Sequence, residues 1–170
     1  INYRTSHQIR ARADRLLGQE VTDVDGNTEE RGGTLSVFNG PPPALETPGT
    51  AEEEAAVVSR WLVDRMSEGV KPEEIAVFVR SAAQLPRAQA AVEAAGLPST
   101  LLDDAVETAR GRVALGTMHL SKGLEFRAVV VMACDDDVVP LQARIEAVTD
   151  DADLQEVYDT ERHLLYVACT

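Results

Sequence analysis

Aromatic residues are scarce: one Trp, three Tyr and three Phe make up 4% of the 170 residues. Few side chains are therefore on hand for nucleic-acid bases to stack on. Lysine is scarcer still, with only Lys71 and Lys122, and the formal net charge is −13. Phosphate binding draws its affinity from Lys and Arg displacing counterions. The charge balance thus excludes a surface that binds nucleic acid over its whole extent and leaves room only for local contacts. The two cysteines, Cys134 and Cys169, have no metal-ligand spacing. With no signal-peptide pattern in the sequence they read as reduced thiols of a cytoplasmic protein, and no disulfide is expected. The longest apolar run, residues 128–134, is far shorter than the roughly 20 residues that span a bilayer, which excludes a membrane span in this stretch. Also missing is any Gly-x-x-x-x-Gly-Lys-Ser/Thr stretch, which excludes a self-contained nucleotidase built on a phosphate-cradling loop.

What is present is ordinary globular usage, with 44% hydrophobic and 26% charged residues, enough for one α/β domain with a buried core. Charge is uneven along it. Residues 1–20 carry four Arg against two acids, and residues 135–170 carry ten acids against two Arg, so the two ends face different surroundings. Both ends read as boundaries of a piece of a longer chain. Apolar spacing predicts a first helix over residues 6–17, stopped by Gly18. A strand is expected over 34–38 between two loop-like stretches, 22–33 and 39–49. Thr50 and Glu53 form a capping-box pattern ahead of a stripe of Val58, Trp61, Leu62 and Met66. Trp61 therefore reads as core rather than as a stacking platform. A strand over 75–79 precedes an Ala-rich helix over 84–95, and 113–117 and 128–132 have the composition of buried parallel strands. A last helix is expected over 159–168, with the acidic stretch 149–161 as a mobile surface connection. The alternation implies a mainly parallel sheet flanked by helices. Ligands of such sheets bind beyond the carboxyl ends of the strands, at Arg80, at residues 117–125 and from Cys134 onward.

The most specific stretch is Gly116-Thr117-Met118-His119-Leu120-Ser121-Lys122-Gly123-Leu124-Glu125-Phe126. Thr117, His119 and Ser121 are polar groups able to reach a phosphate from a strand end, Gly123 lets backbone approach a ligand, and Glu125 can accept from a ribose hydroxyl. This stretch resembles motif V of UvrD/Rep-type superfamily 1 DNA helicases. Asn2-Tyr3-Arg4-Thr5 resembles motif IV of the same family, and Glu161 to Thr170 resembles motif VI, normally continued by Arg. A weaker match, Val77 to Gln84, resembles motif IVa, with Ala82 where Asn is usual; His163 stands where motif VI usually has Arg. The order of the motifs is the family's own.

The resemblance implies the second, C-terminal RecA-like motor domain (2A) of an ATP-dependent DNA helicase, a P-loop-NTPase-type fold without its own Walker A loop. Only residues 97–112 occupy the interval between motifs IVa and V, so no large 2B insertion is expected within 1–170. By resemblance, Arg4 lies by the γ-phosphate, where a guanidinium fork suits a phosphoryl group gaining charge. Gly123 and Glu125 then belong to the ATP site, with Glu125 at the ribose. Thr117 and His119 lie along single-stranded DNA. Arg80 is a candidate phosphate contact, with a structural ion pair as the alternative for a strand-terminal Arg. Lys122, Glu161, Tyr166 and Thr170 support the motifs structurally. The implied partners are an N-terminal RecA-like domain of the same parent chain and single-stranded DNA, with no membrane. ATP and Mg²⁺ are implied for the full-length protein and none is expected bound to this piece, which should be inactive alone. No metal ligands are assigned: Asp135-Asp136-Asp137 reads as a solvated loop rather than a Mg²⁺ seat. The competing reading is a catalytically inactive, helicase-derived protein-interaction module using its acidic surface.

Overall fold

A computed structural model of the chain describes residues 5–17, 20–22, 28–30, 36–103 and 109–170. Near the N-terminus, Ser6 caps α1 (His7–Ala13) by accepting from the Ile9 amide, and a 3-10 turn over Asp14–Leu16 extends it. The short strands β1 (Glu20–Thr22) and β2 (Thr28–Glu30) pair antiparallel, with Val21 opposite Glu29; β2 lies within residues 22–33, read from sequence as loop. The strand expected over 34–38 is not borne out where it is described: Ser36 makes a single bridge and the chain bends at Val37 and Phe38. The reason is a different partner. The Phe38 carbonyl accepts from the His7 amide, and the Gly40 amide donates to Gln8, so this segment is tied to α1.

Helix α2 (Ala51–Ser67) starts as its capping pattern requires, Thr50 accepting from the Glu53 amide at 3.1 Å. The reciprocal carboxylate bond goes one residue earlier, to the Gly49 amide at 2.8 Å. Strand β3 (Ile75–Val79) leads through a 3-10 turn into α3 (Leu85–Ala94), whose first turn accommodates Pro86. Gly96 ends that region with φ +71°, a left-handed position that costs glycine little. Strands β4 (Ser99–Leu101), β5 (Val113–Thr117) and β6 (Ala128–Val131) complete an all-parallel four-stranded sheet in the order β4-β5-β3-β6.

Both faces of β3 are buried, as the unbroken apolar run demands. Ile75, Val77 and Val79 pack with Val58 and Leu62 of α2 and with Ala88, Ala91 and Val92 of α3. On the other face, Ala76 and Phe78 pack with Met118, Leu164, Leu165 and Ala168. Phe78 is 2% exposed, and its truncation to Ala would cost about 3–5 kcal/mol. Gly116 belongs to that second face: a Cβ there would stand 3.1 Å from Leu102 and 3.5 Å from Phe78. Trp61 lies against the first core with the Arg65 guanidinium 5.2 Å over its ring.

After β6 come α4 (Gln142–Glu146) and α5 (Asp151–Cys169). Residues from 151 on are helical, so the mobile connection expected over 149–161 is corrected. Asp150 caps the helix by accepting from the Asp153 amide at 2.8 Å, and Asp151 and Asp153 sit at the positive end of its dipole. The acids thus build a helix start. The resulting three-layer arrangement, helices on both faces of a parallel sheet, is the expected α/β class.

Candidate functional site

Because the four strands are parallel, their carboxyl ends share one edge. Val79 and Thr117 are ladder partners, so Arg80 and the 118–121 turn leave the sheet side by side. That turn, a 3-10 helix over Met118–Ser121, is seated by Met118 and Leu120 against Leu164, Leu165 and Ala168 of α5. Beyond it the chain alternates. Lys122, Gly123 and Glu125 are exposed, whereas Leu124 and Phe126 turn into the core, Phe126 edge-on to Phe78 at 6.1 Å. The apolar residues anchor the loop and present the three polar or small ones. Gly123 has φ +84° with no atom within 4 Å of a would-be Cβ, so its backbone lies open to a ligand.

Thr117 is half-buried at the strand end and His119 is exposed. Partial burial, then the charges of Arg80 and Arg144 against that of Glu161, holds the His119 imidazole below its ordinary value. A histidine so placed is neutral near pH 7 and offers a hydrogen bond rather than a charge. Ser121, read as a phosphate contact, turns inward instead: it is buried and its hydroxyl donates to the Met118 carbonyl at 2.7 Å.

Arg80 takes the ion-pair alternative. Its Nε and Nη2 donate to the two Glu161 carboxylate oxygens, each at 2.6 Å, and both side chains are at most 5% exposed. The Glu161 carboxylate also accepts from Arg144 Nη1 at 3.0 Å and from the Leu141 amide at 3.3 Å. The DNA contact read for Arg80 is therefore corrected: its fork is spent on Glu161. Burial pushes the Glu161 carboxyl up, but the bond and charge of Arg80, with the bonds from Arg144 and the Leu141 amide, outweigh it and hold the group below the usual carboxylate value. Arg144 went unnoticed in the sequence. The signal was there, since it is one of only two Arg in the acidic stretch 135–170.

At its far end, α5 meets the N-terminal segment. Thr5 donates through Oγ1 to the Thr170 carbonyl at 2.5 Å, and Thr170 Oγ1 donates to the Tyr166 carbonyl at 2.9 Å. The Tyr166 hydroxyl lies 3.2 Å from Asp14. The segments read as motifs IV and VI thus converge, although Arg4 itself lies outside the described residues. Asp135 pairs with Arg87, which also donates to Glu54 at 2.6 Å. Among the described residues no group of three or more His, Cys, Asp or Glu is placed to hold a metal ion. Cys134 and Cys169 are free thiols, and no described helix is long and apolar enough to cross a membrane.

Residues 99–170 match the UvrD-like helicase C-terminal domain family. This match covers the segments read as motifs V and VI, and the family is the one their residues resemble. A solved structure, the C-terminal domain of a possible DNA helicase from Lactobacillus plantarum WCFS1, is similar over 99% of this chain and 81% of its own. Its TM-score is 0.59 and its sequence identity 26%. No curated protein matches the chain in sequence. Residues 99–170 are thus similar to the UvrD-like helicase C-terminal domain, and the all-parallel sheet flanked by helices is consistent with a RecA-like α/β fold.

Proposed function

We propose that this chain is the second RecA-like motor domain, residues 1–170 without a large 2B insertion, of an ATP-dependent DNA helicase or translocase. The observation that supports it best is the packing of the Met118–Ser121 turn on α5, whose far end meets Thr5. One helix thereby adjoins both a DNA-facing turn and the segment that carries Arg4. In this reading ATP, with Mg²⁺, binds in a cleft shared with an N-terminal RecA-like domain of the same protein that supplies the phosphate loop. This chain's own part is to offer Arg4 to the γ-phosphate, the open Gly123 backbone to the nucleotide and Glu125 to a ribose hydroxyl. Arginines of this kind are worth about 10³–10⁵ in rate, because charge gathers on the phosphoryl oxygens as they transfer. Thr117 and a neutral His119 line the path of single-stranded DNA.

Closure of the cleft on ATP moves Thr117 and His119 relative to DNA contacts on the other lobe, and reopening after hydrolysis completes a step. Only groups that bind ATP better in the closed state can drive that shift, which assigns the coupling to Arg4 and its counterpart in motif VI. The test uses the full-length protein: ATP turnover with and without oligothymidine, for the natural sequence and for Arg4→Ala and Glu125→Gln. DNA should stimulate turnover, Arg4→Ala should abolish most of the stimulated rate, and Glu125→Gln should raise KM for ATP. Absence of both nucleotide binding and DNA stimulation in the natural sequence would overturn the reading and favour a protein-interaction module.

A further inference from the structure

We propose that Arg144 is a phosphate contact for single-stranded nucleic acid, held beside His119 by the buried Arg80–Glu161 ion pair. The inference rests on the helicase reading above and fills the place that Arg80 leaves empty. Two cations and one anion meet at Glu161, so the cluster carries one net positive charge. It does so within a stretch that is otherwise acidic. That excess lies on the member that reaches the surface: the side chain of Arg144 is 39% exposed, against 5% for Arg80 and 2% for Glu161.

Arg144 Nη1 is tethered to Glu161 at 3.0 Å. A guanidinium carries five N–H donors in a rigid fork, so one edge can stay on the carboxylate while the exposed side takes a phosphate oxygen. The tether also removes in advance much of the rotamer entropy that binding would otherwise cost. Position supports the assignment. Arg80 directly follows the ladder partner of Thr117, the His119 turn packs on the helix that carries Glu161, and the charge of Arg144 is felt at the His119 imidazole. On another side Arg144 borders Asp153 and Glu156 in a shallow groove. Those carboxylates repel phosphate from that direction and leave the approach past His119.

The test is fluorescence anisotropy of labelled oligothymidine with the full-length protein, without nucleotide, over a series of salt concentrations. Two variants separate charge from structure: Arg144→Gln keeps a donor for Glu161 and removes the charge, and Arg144→Lys keeps the charge. Thermal melts of both confirm folding. Arg144→Gln should weaken binding about three- to tenfold and lower the slope of log K against log salt by about 0.7, the loss of one phosphate contact on a single strand. Arg144→Lys should keep the slope. An Arg144→Gln protein with the natural slope and affinity would overturn the proposal while leaving the helicase reading intact. A Lys variant that loses the slope as the Gln variant does would overturn it too, since charge would not then be the cause. Natural protein that fails to bind oligothymidine would overturn both together.

Discussion

Replacing Arg80 by Met leaves the Glu161 carboxylate buried with only its weaker partners, Arg144 at 3.0 Å and the Leu141 amide at 3.3 Å. Removing one partner of a buried ion pair typically costs about 3–5 kcal/mol, because the remaining charge stays desolvated. The two surviving bonds place Arg80→Met at the low end, about 3 kcal/mol. For a chain of this length that corresponds to a fall in Tm of about 6–12 °C. The effect has a pH signature. The carboxyl of Glu161 is held below its ordinary value in the folded protein. Its contribution is therefore complete above the unfolded value of about 4.3 and is lost as pH falls through the lower folded value. The gap between natural protein and variant should be full near neutral pH and narrow below about pH 4. Urea denaturation, followed by Trp61 fluorescence and far-ultraviolet circular dichroism over a pH series, measures it. Pairing Arg80→Met with Glu161→Leu removes the stranded charge and should restore most of the loss. A gap under about 1 kcal/mol at neutral pH, or one that widens toward acid, would refute this account of the cluster.

Thr50→Ala removes the cap of α2 and should lower stability by about 1 kcal/mol in urea denaturation, with the Gly49–Glu53 bond left in place. Gly123→Ala meets no atom but forces a side chain into the left-handed region at φ +84°, so about 1 kcal/mol of stability should be lost through strain alone; an unchanged urea midpoint would show that the turn relaxes. Burial pushes the Cys169 thiol up to about 11. At about pH 8 only about one thiol in a thousand is then ionised, against roughly one in four for a free cysteine. Peptide mapping after iodoacetamide treatment should show Cys169 labelled over a hundredfold more slowly than glutathione, and comparable rates would contradict the assignment.

The strands that bury both faces were legible because short, nearly unbroken apolar runs have few other solutions: residues 75–79 and 113–117 fall where the composition puts them. The motif V turn was legible for a different reason. Its alternation of Leu124 and Phe126 with Gly123 and Glu125 encodes which side chains anchor and which are presented. Short elements were lost because they carry too few residues for a period to show, as with β4 at Ser99–Leu101 and α4 at Gln142–Glu146. The start of α5 was misread because a run of acids looks solvated in sequence, whereas at a helix N-terminus it completes the dipole. The role of Arg80 depended on a partner 81 residues away. A single Arg after a strand suits a phosphate and a carboxylate equally well, and only tertiary placement decides which it meets.

Helix α5 gives these separate observations a common mechanical basis. Its buried side, with Val157, Glu161, Leu164, Leu165 and Ala168, faces the protein, while Ala152, Glu156, Asp159, Thr160 and His163 are exposed on the opposite side. From Glu161, where the arginine pair is seated, to Thr170, which accepts from Thr5, the helix rises about 13 Å at the usual 1.5 Å per residue. A continuous helix over that span transmits displacement with little bending, and the apolar contacts of Leu164 and Leu165 keep it registered on the Met118–Ser121 turn. Under the proposed function, a nucleotide-driven shift at the Thr5–Thr170 end would carry the Glu161 cluster and the His119 turn with it as one packed body. Coupling would then need no flexible relay, since close-packed contacts move between discrete arrangements rather than deforming continuously.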